Sequence, residues 1–352
     1  MARVWDRLGK AIAGHMLCLM PCCLALGIFL PQVFRALNPL VSPMFALMAF
    51  QGALSNRLSR VRSTFRHPLP LVLTLAFSHL AMPLVAFGVS RILMVGSPVM
   101  AGVLLEYCVP IASSSIMWVG MYEGDVALSL SAILISALVC PLTLPLTMQA
   151  LMGTTVSVDV PSMMGQLLLV VALPTLAGTL VNEGTDGWGK EALAPRLAPL
   201  ARVFLLLIIV ANTTGISDLM LHLTPELLAI IGLMGALCLT GFGLALLLAR
   251  LTRQPCDRFV SMTFSCGMKN ISAGAVICAR YLPAASLFPV MAGTLFQQFM
   301  AAAFGTLMGR LLADEPSGEA ASSPEDLPQG EASPSLGRPP AGLGGRPAPL
   351  VR

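Results

Sequence analysis

Ser265-Cys-Gly-Met-Lys-Asn-Ile-Ser-Ala-Gly274 places a lysine, an asparagine, two serines and two glycines in the middle of an apolar run. Lys269 is one of three lysines and the only one within such a run. An ammonium at the middle of a bilayer costs at least ~2.5 kcal/mol on insertion scales, so it has to face a polar interior. Its chemistry is that of a fixed cation, which either attracts an anionic substrate or fills a place where a metal ion would otherwise sit. The alternative is a structural lysine, paired with a buried acid or reaching toward an interface. Asn270 and Ser272 lie beside it with amide and hydroxyl groups to line the same site.

A second polar interruption is Pro110-Ile-Ala-Ser-Ser-Ser115, where the proline ring removes a backbone donor and disrupts the preceding turn. Ser113, Ser114 and Ser115 set three hydroxyls beside that turn, able to contact an ion or a carboxylate; serines also serve as ordinary contacts between membrane helices. Glu106, four residues earlier, is the only acid well inside an apolar segment. Either it pairs with Lys269, if the two interruptions cross, or it lies near the outer end of its helix, capped or hydrated. Asp125 reads as the cap of the segment starting at Val126, and His79, Gln297 and Gln298 as hydrogen-bonding contacts between helices. No Gly-rich phosphate loop, His-Glu-x-x-His, Cys-x-x-Cys or Gly-x-Ser-x-Gly occurs, so neither enzyme nor cofactor chemistry finds a motif.

Composition says what must position these groups. Of 352 residues 56% are hydrophobic and 11% charged, with a mean hydropathy of +0.82, against about a quarter charged in soluble domains. This is an integral membrane protein. Its apolar segments are too long and too little alternating for barrel strands, and read as membrane helices. Nine cysteines, eight of them in apolar segments, read as small hydrophobes rather than a disulfide framework. The net charge of +4 comes from short arginine clusters between apolar runs, which orient a protein in the bilayer and imply no nucleic-acid partner.

About ten spans are expected, near 11–30, 40–55, 69–91, 98–121, 126–152, 162–182, 199–219, 225–249, 259–281 and 284–309. With residues 1–10 in the cytoplasm, fourteen arginines and lysines of the span-flanking segments fall inside, and only Arg35, Arg91 and Arg280 outside. That bias predicts a protein of the cytoplasmic membrane with both termini inside. The basic start followed by an apolar run resembles a signal peptide, but the run is long, Pro21 interrupts it and no Ala-x-Ala site follows, so it is expected to be retained. Five spans per half predict inverted repeats, about 11–152 and 162–312, with the fourth span of each half discontinuous. Residues 313–352, rich in Pro, Gly, Ser and Glu, are expected to be a disordered cytoplasmic tail.

These residues resemble the bile acid:sodium symporter family, whose ninth span carries a Gly-Met-Gln-Asn type motif, here Gly267-Met268-Lys269-Asn270. The resemblance covers about residues 10–310 and takes in Met82-Pro83, Pro110 and Gly124-x-Val126-Ala-Leu-Ser129. It implies a ten-span inverted repeat of a panel and a core domain, with two broken helices crossing in the core. It also implies transport of organic anions, commonly coupled to sodium.

The family's sodium ligands carry over poorly. The resemblance puts Ser265 where the family has an acid, Lys269 and Ser78 where it has glutamines, Ile116 where it has an asparagine and Ile133 where it has a threonine. Ser115, Ser129, Met268 and Asn270 remain. Sodium binding is therefore doubtful. The expectation is a sodium-independent or proton-coupled transporter of a small organic anion, in which the Lys269 ammonium takes the ion's place. A sodium-coupled member of the same family and, from another class, a membrane-embedded lipid-modifying enzyme are the alternatives.

Overall fold

A computed structural model of the chain describes residues 12, 15–59, 64, 66, 68–93, 97–153, 159–222 and 224–313. The expected N-terminal segment 1–10 and the tail after 313 lie outside the described residues. The described chain is all helical: α1 (Met16–Phe29), α2 (Pro31–Ala53), α3 (Pro68–Ile92), α4 (Ser97–Cys108), α5 (Ser115–Met121), α6 (Val126–Met152), α7 (Val160–Gly184), α8 (Gly189–Leu221), α9 (Pro225–Leu251), α10 (Cys256–Gly267), α11 (Ile271–Tyr281) and α12 (Leu287–Ala313). Among the described residues, seven helices are long and apolar enough to cross a membrane: α2, α3, α6, α7, α8, α9 and the run Ala284–Leu311 that contains most of α12. The expected fourth and ninth spans are each two shorter helices, α4 with α5 and α10 with α11, separated by Val109–Ser114 and Met268–Asn270.

Local chemistry sets the helix starts. Asp125, Asp159 and Thr224 cap α6, α7 and α9 by accepting from Leu128, Ser162 and Leu227 backbone N–H groups. The Ser162 hydrogen bonds also hold the Asp159 carboxyl below its ordinary range. Asp125 does more than cap α6. Its own N–H reaches the Asp257 carbonyl at 2.9 Å, its carbonyl accepts from Ser261 Oγ at 2.9 Å, and Arg258 Nε lies 3.9 Å from its carboxylate. The start of α10 is thereby fastened to the start of α6.

Three helices carry one wide turn each, at Phe77–Ala81 in α3, Leu168–Ala172 in α7 and Gly189–Leu193 in α8. All three wide turns lie just ahead of a proline, Pro83, Pro174 and Pro195. A proline has no N–H and its ring crowds the preceding turn, so the ladder opens by one residue instead of breaking.

Helices α1, α2, α7 and α8 pack on one another, as do α3, α5, α6, α9 and α10. Helix α4 packs on α3, α6 and α11, while α11 also touches α2 and α8. Phe242, Phe264, Met268 and Met308 form a buried cluster under the breaks. Large apolar side chains such as Val72, Leu80, Leu142, Leu169, Leu173 and Leu239 remain exposed on the helix surfaces, where hydrocarbon rather than water is their natural solvent.

Candidate functional site

The two interruptions meet. Ile111 and Lys269 form an antiparallel bridge, in which Ala112 N–H donates to the Met268 carbonyl at 3.1 Å and Asn270 N–H to the Pro110 carbonyl at 2.8 Å. Side chains take the remaining donors. Ile111 N–H reaches Ser136 Oγ on α6 at 2.9 Å, and Lys269 N–H reaches Gln297 Oε1 on α12 at 2.7 Å. Each of the four backbone N–H groups at the crossing thus has a partner, as a buried backbone in hydrocarbon requires.

Lys269 is 2% exposed, and its ammonium donates to the Ser78 carbonyl at 2.8 Å. That acceptor exists because of the wide turn in α3. Met82 N–H bonds Phe77 O, and the following residue, Pro83, has no N–H to offer, so the Ser78 carbonyl is free. The other two ammonium N–H groups have no protein acceptor among the described residues. The Ser78 hydroxyl is fully buried and itself has no hydrogen-bond partner among the described residues.

Glu106 corrects both readings made from sequence. It makes no ion pair with Lys269, because the amine is drawn instead to the Ser78 carbonyl; the ion pairs of the described residues are Arg57–Asp186 and Arg258–Asp125. Nor is it hydrated at a helix end, being 3% exposed with Oε2 unpartnered. Gly274 and Gly293 make the room for it: a Cβ on Gly293 would stand 3.0 Å from Oε1, and one on Gly274 3.5 Å from Oε2.

The three serines at the first break separate. Ser113 and Ser114 are exposed, while Ser115 is fully buried and donates to the Ala112 carbonyl at 2.8 Å. Ser113 Oγ points toward Gly52 of α2, 3.7 Å from where a Cβ there would be, so it borders the seam between the two helix groups. Ser265 and Ser129, both buried, pair at 3.1 Å. Met268 is fully buried and contributes its carbonyl to the bridge. Asn270 is half-buried and caps α11 by accepting from Ala273 N–H at 3.3 Å. Ser272 follows on the first turn of α11, half-buried.

His79 and Ser136 belong to the same assembly. Ser136 Oγ lies 2.8 Å from His79 Nε2, and His79 Nδ1 lies 3.1 Å from Thr143 Oγ1. Thr143 donates to the Val139 carbonyl and so accepts from Nδ1–H, leaving Nε2 to accept the Ser136 proton. In this chain each hydroxyl accepts once and donates once, and each ring nitrogen is used once. The wide turn of α3 therefore holds one break through Ser78 and the other through its neighbour His79. The sequence signal was Pro83, four residues after His79 and five after Ser78.

Long apolar helices, two of them broken where they cross, and a buried cation at the crossing define a helical membrane protein of the transporter class. The chain belongs to the Sodium Bile acid symporter family, which residues 42–223 match. It is 33% identical over 293 residues to the uncharacterized protein YbaS of Bacillus subtilis (strain 168), covering 83% of this chain and 96% of that one. To the uncharacterized sodium-dependent transporter YocS of the same organism it is 23% identical over 265 residues, 75% of this chain and 81% of the other. To the probable sodium/metabolite cotransporter BASS2, chloroplastic, of Oryza sativa subsp. japonica it is 23% identical over 221 residues, 62% and 52% of the two chains.

Proposed function

We propose that the protein is a secondary transporter of a small organic anion that works by alternating access without sodium, the Lys269 ammonium standing where relatives hold the ion. The observation that carries this reading is the buried amine, which has one neutral carbonyl as partner and no carboxylate within 4.0 Å. A positive charge so placed favours an anion beside it. It also opposes a cation, by roughly 4 kcal/mol for two unit charges 4 Å apart at an effective dielectric of about 20. The Ser129–Ser265 pair, with two hydroxyls and no acid, offers sodium little that water does not.

In this reading Lys269, Asn270, Ser272, Ser113, Ser114 and Ser115 line the site. Ser78, Glu106, Ser129, Ser265 and Met268 form its surroundings. The ten spans are two inverted repeats, about 11–152 and 162–312, with the panel drawn from α1, α2, α7 and α8 and the core from the helices around the breaks. One rocks against the other. The protein sits in the cytoplasmic membrane with both termini inside, and residues 313–352 form a cytoplasmic tail. A fixed charge cannot cross with the substrate, so the cycle either runs uncoupled or moves protons through Lys269.

The sodium-coupled reading is favoured by one observation, the sodium dependence in the names of YocS and BASS2. Uptake of a mixed set of radiolabelled organic acids into proteoliposomes, in sodium and in choline buffers, separates the two. Equal uptake in both media and its loss in Lys269→Ala support the proposal; uptake that needs sodium, or that survives Lys269→Ala, overturns it.

A further inference from the structure

Glu106 sits on α4 four residues before Pro110, which puts it about 6 Å along the helix from the first break. Its Oε2 has no hydrogen-bond partner, and neither ion pair of the described residues includes it. Two glycines on other helices leave the space that the carboxyl fills. On α12 a Cβ at Gly293 would stand 3.0 Å from Oε1 and 3.3 Å from the carboxyl carbon, and on α11 a Cβ at Gly274 would stand 3.5 Å from Oε2. Val109 and Val290 close the cradle beside Gly274, with methyl carbons 3.2 and 3.4 Å from that same Cβ position. The fold gains nothing from an acid in this cradle, since a buried polar group without a partner is a cost that an apolar side chain would not carry. An ionisable group kept in a membrane segment at such a cost points to function.

The walls decide what the acid can hold. A hard metal ion needs several oxygen ligands, and the cradle offers one carboxyl among glycines and valine methyl groups. No group of three His, Cys, Asp or Glu side chains among the described residues could hold a metal ion. A proton needs only one oxygen, and taking one is how an isolated carboxylate in apolar surroundings sheds its charge. The titratable side chains that act on Glu106 are Tyr107 on α4, Cys238 on α9, Cys278 on α11 and, at the second break, Lys269. His79 on α3, Cys140 on α6, Cys266 on α10 and Cys108 on α4 act on Lys269 instead. Thiols and a phenol are uncharged at neutral pH, so Lys269 is the one charge that Glu106 feels.

We propose that Glu106 in its glycine cradle is the proton-binding site that drives transport. The proposal rests on the organic-anion reading above and adds the energy source to it; of the two cycles open to a fixed charge, it selects the one that moves protons. Loaded, Glu106 is neutral and the whole charge of Lys269 is left for the anion. Unloaded, the Glu106 carboxylate competes with the anion for that charge. Anion and proton therefore favour each other's binding, as linkage between two sites demands, and they cross together. Each cycle adds one proton from water on one side to a carboxylate oxygen and returns it to water on the other, with no bond except O–H made or broken. The cradle also ties this step to the breaks. Gly274 lies on the first turn of α11, four residues after Asn270, so a movement of the second break that frees the anion lifts one wall off the carboxyl.

The test first looks for the proton itself, by infrared difference spectra of the purified full chain between neutral buffer and alkali short of unfolding. The carbonyl stretch of a neutral carboxylic acid should be present, and should be lost reversibly with alkali. Glu106→Gln should lack the band, and Gly293→Ala, which crowds Oε1, should shift it. Monodisperse elution checks each fold, and Glu106→Asp, which should move the band, decides the matter should Glu106→Gln not fold. Absence of the band, its survival in Glu106→Gln or in alkali, or indifference to both Gly293→Ala and Glu106→Asp overturns the site. In sodium-free proteoliposomes an inward proton gradient should raise net uptake of the mixed radiolabelled organic acids severalfold over protein-free liposomes, and Glu106→Gln should abolish the rise. Lys269-dependent uptake that ignores the gradient, or a rise that survives Glu106→Gln, sinks the proton site alone. An acid band that behaves as expected, without uptake of any organic acid, sinks the transport reading alone.

Discussion

Ile111 and Lys269, 158 positions apart in the chain, pair backbone to backbone as the only β-type contact among the described residues. Each break supplies what the other lacks, since Pro110 and Met268 offer carbonyls to the N–H groups of Asn270 and Ala112. Ser136 and Gln297 complete the set from outside the crossing. Two helices can therefore be open where they cross without an unpaired backbone donor at Ile111, Ala112, Lys269 or Asn270.

Removing one of the outside partners should cost stability. Ser136→Ala strands the buried Ile111 N–H and takes away the hydroxyl that donates to His79 Nε2. A loss of about 1–3 kcal/mol is expected for a buried donor left unsatisfied. Thermal unfolding in detergent should show a lower midpoint for Ser136→Ala and for Gln297→Leu; midpoints equal to wild type would show that the crossing does not depend on them.

Gly267 is required by a ring. A Cβ there would meet Phe242 Cδ1 at 2.5 Å, and Phe242 is fully buried and stacked on Phe304 at 5.2 Å. Gly267→Ala should destabilise by about 1–3 kcal/mol through overpacking, and Phe242→Leu in the same chain should return most of it. Failure of the second substitution to rescue would place the strain elsewhere.

Asn270 joins two roles in one side chain, capping α11 and standing beside Lys269. Asn270→Ala should cost about 0.5–2 kcal/mol as a lost cap, while Asn270→Asp keeps the cap and adds a negative charge. If the site takes anions, the aspartate variant should fold as well as wild type yet raise the KM for uptake at least tenfold. Equal KM values would remove Asn270 from the site.

The sodium argument predicts a gain as well as an absence. Lys269→Gln removes the opposing charge, and Ser265→Asp puts an acid where the Ser265 hydroxyl lies 3.1 Å from that of Ser129. Only the double variant should show sodium-dependent thermal stabilisation, growing with concentration as ligand linkage requires. Stabilisation of the unmodified chain by sodium would contradict the replacement of the ion by the amine.

Much of the frame could be read from the residues. Pro110 and the Gly-Met-Lys-Asn stretch marked both breaks, and Asp125 announced its cap, because side-chain chemistry at a helix end is written in residue types. Glu106 and Lys269 were harder. Opposite charges invite pairing on paper, but the amine's partner is a backbone carbonyl, and no residue type announces a free carbonyl. Ser113, Ser114 and Ser115 look alike in sequence and differ only by the direction in which the opened turn points them.

The amine of Lys269 is moored to main chain, and main chain cannot be deleted by altering a side group. Replacing Ser78 with alanine leaves the mooring untouched, so a scan of neighbouring side chains would pass over it in silence. The vulnerable position is Pro83: given an amide hydrogen there, α3 can wind tight, withdraw the carbonyl and set the charge adrift. A lesion in this transporter can thus originate at a proline that never meets the cargo.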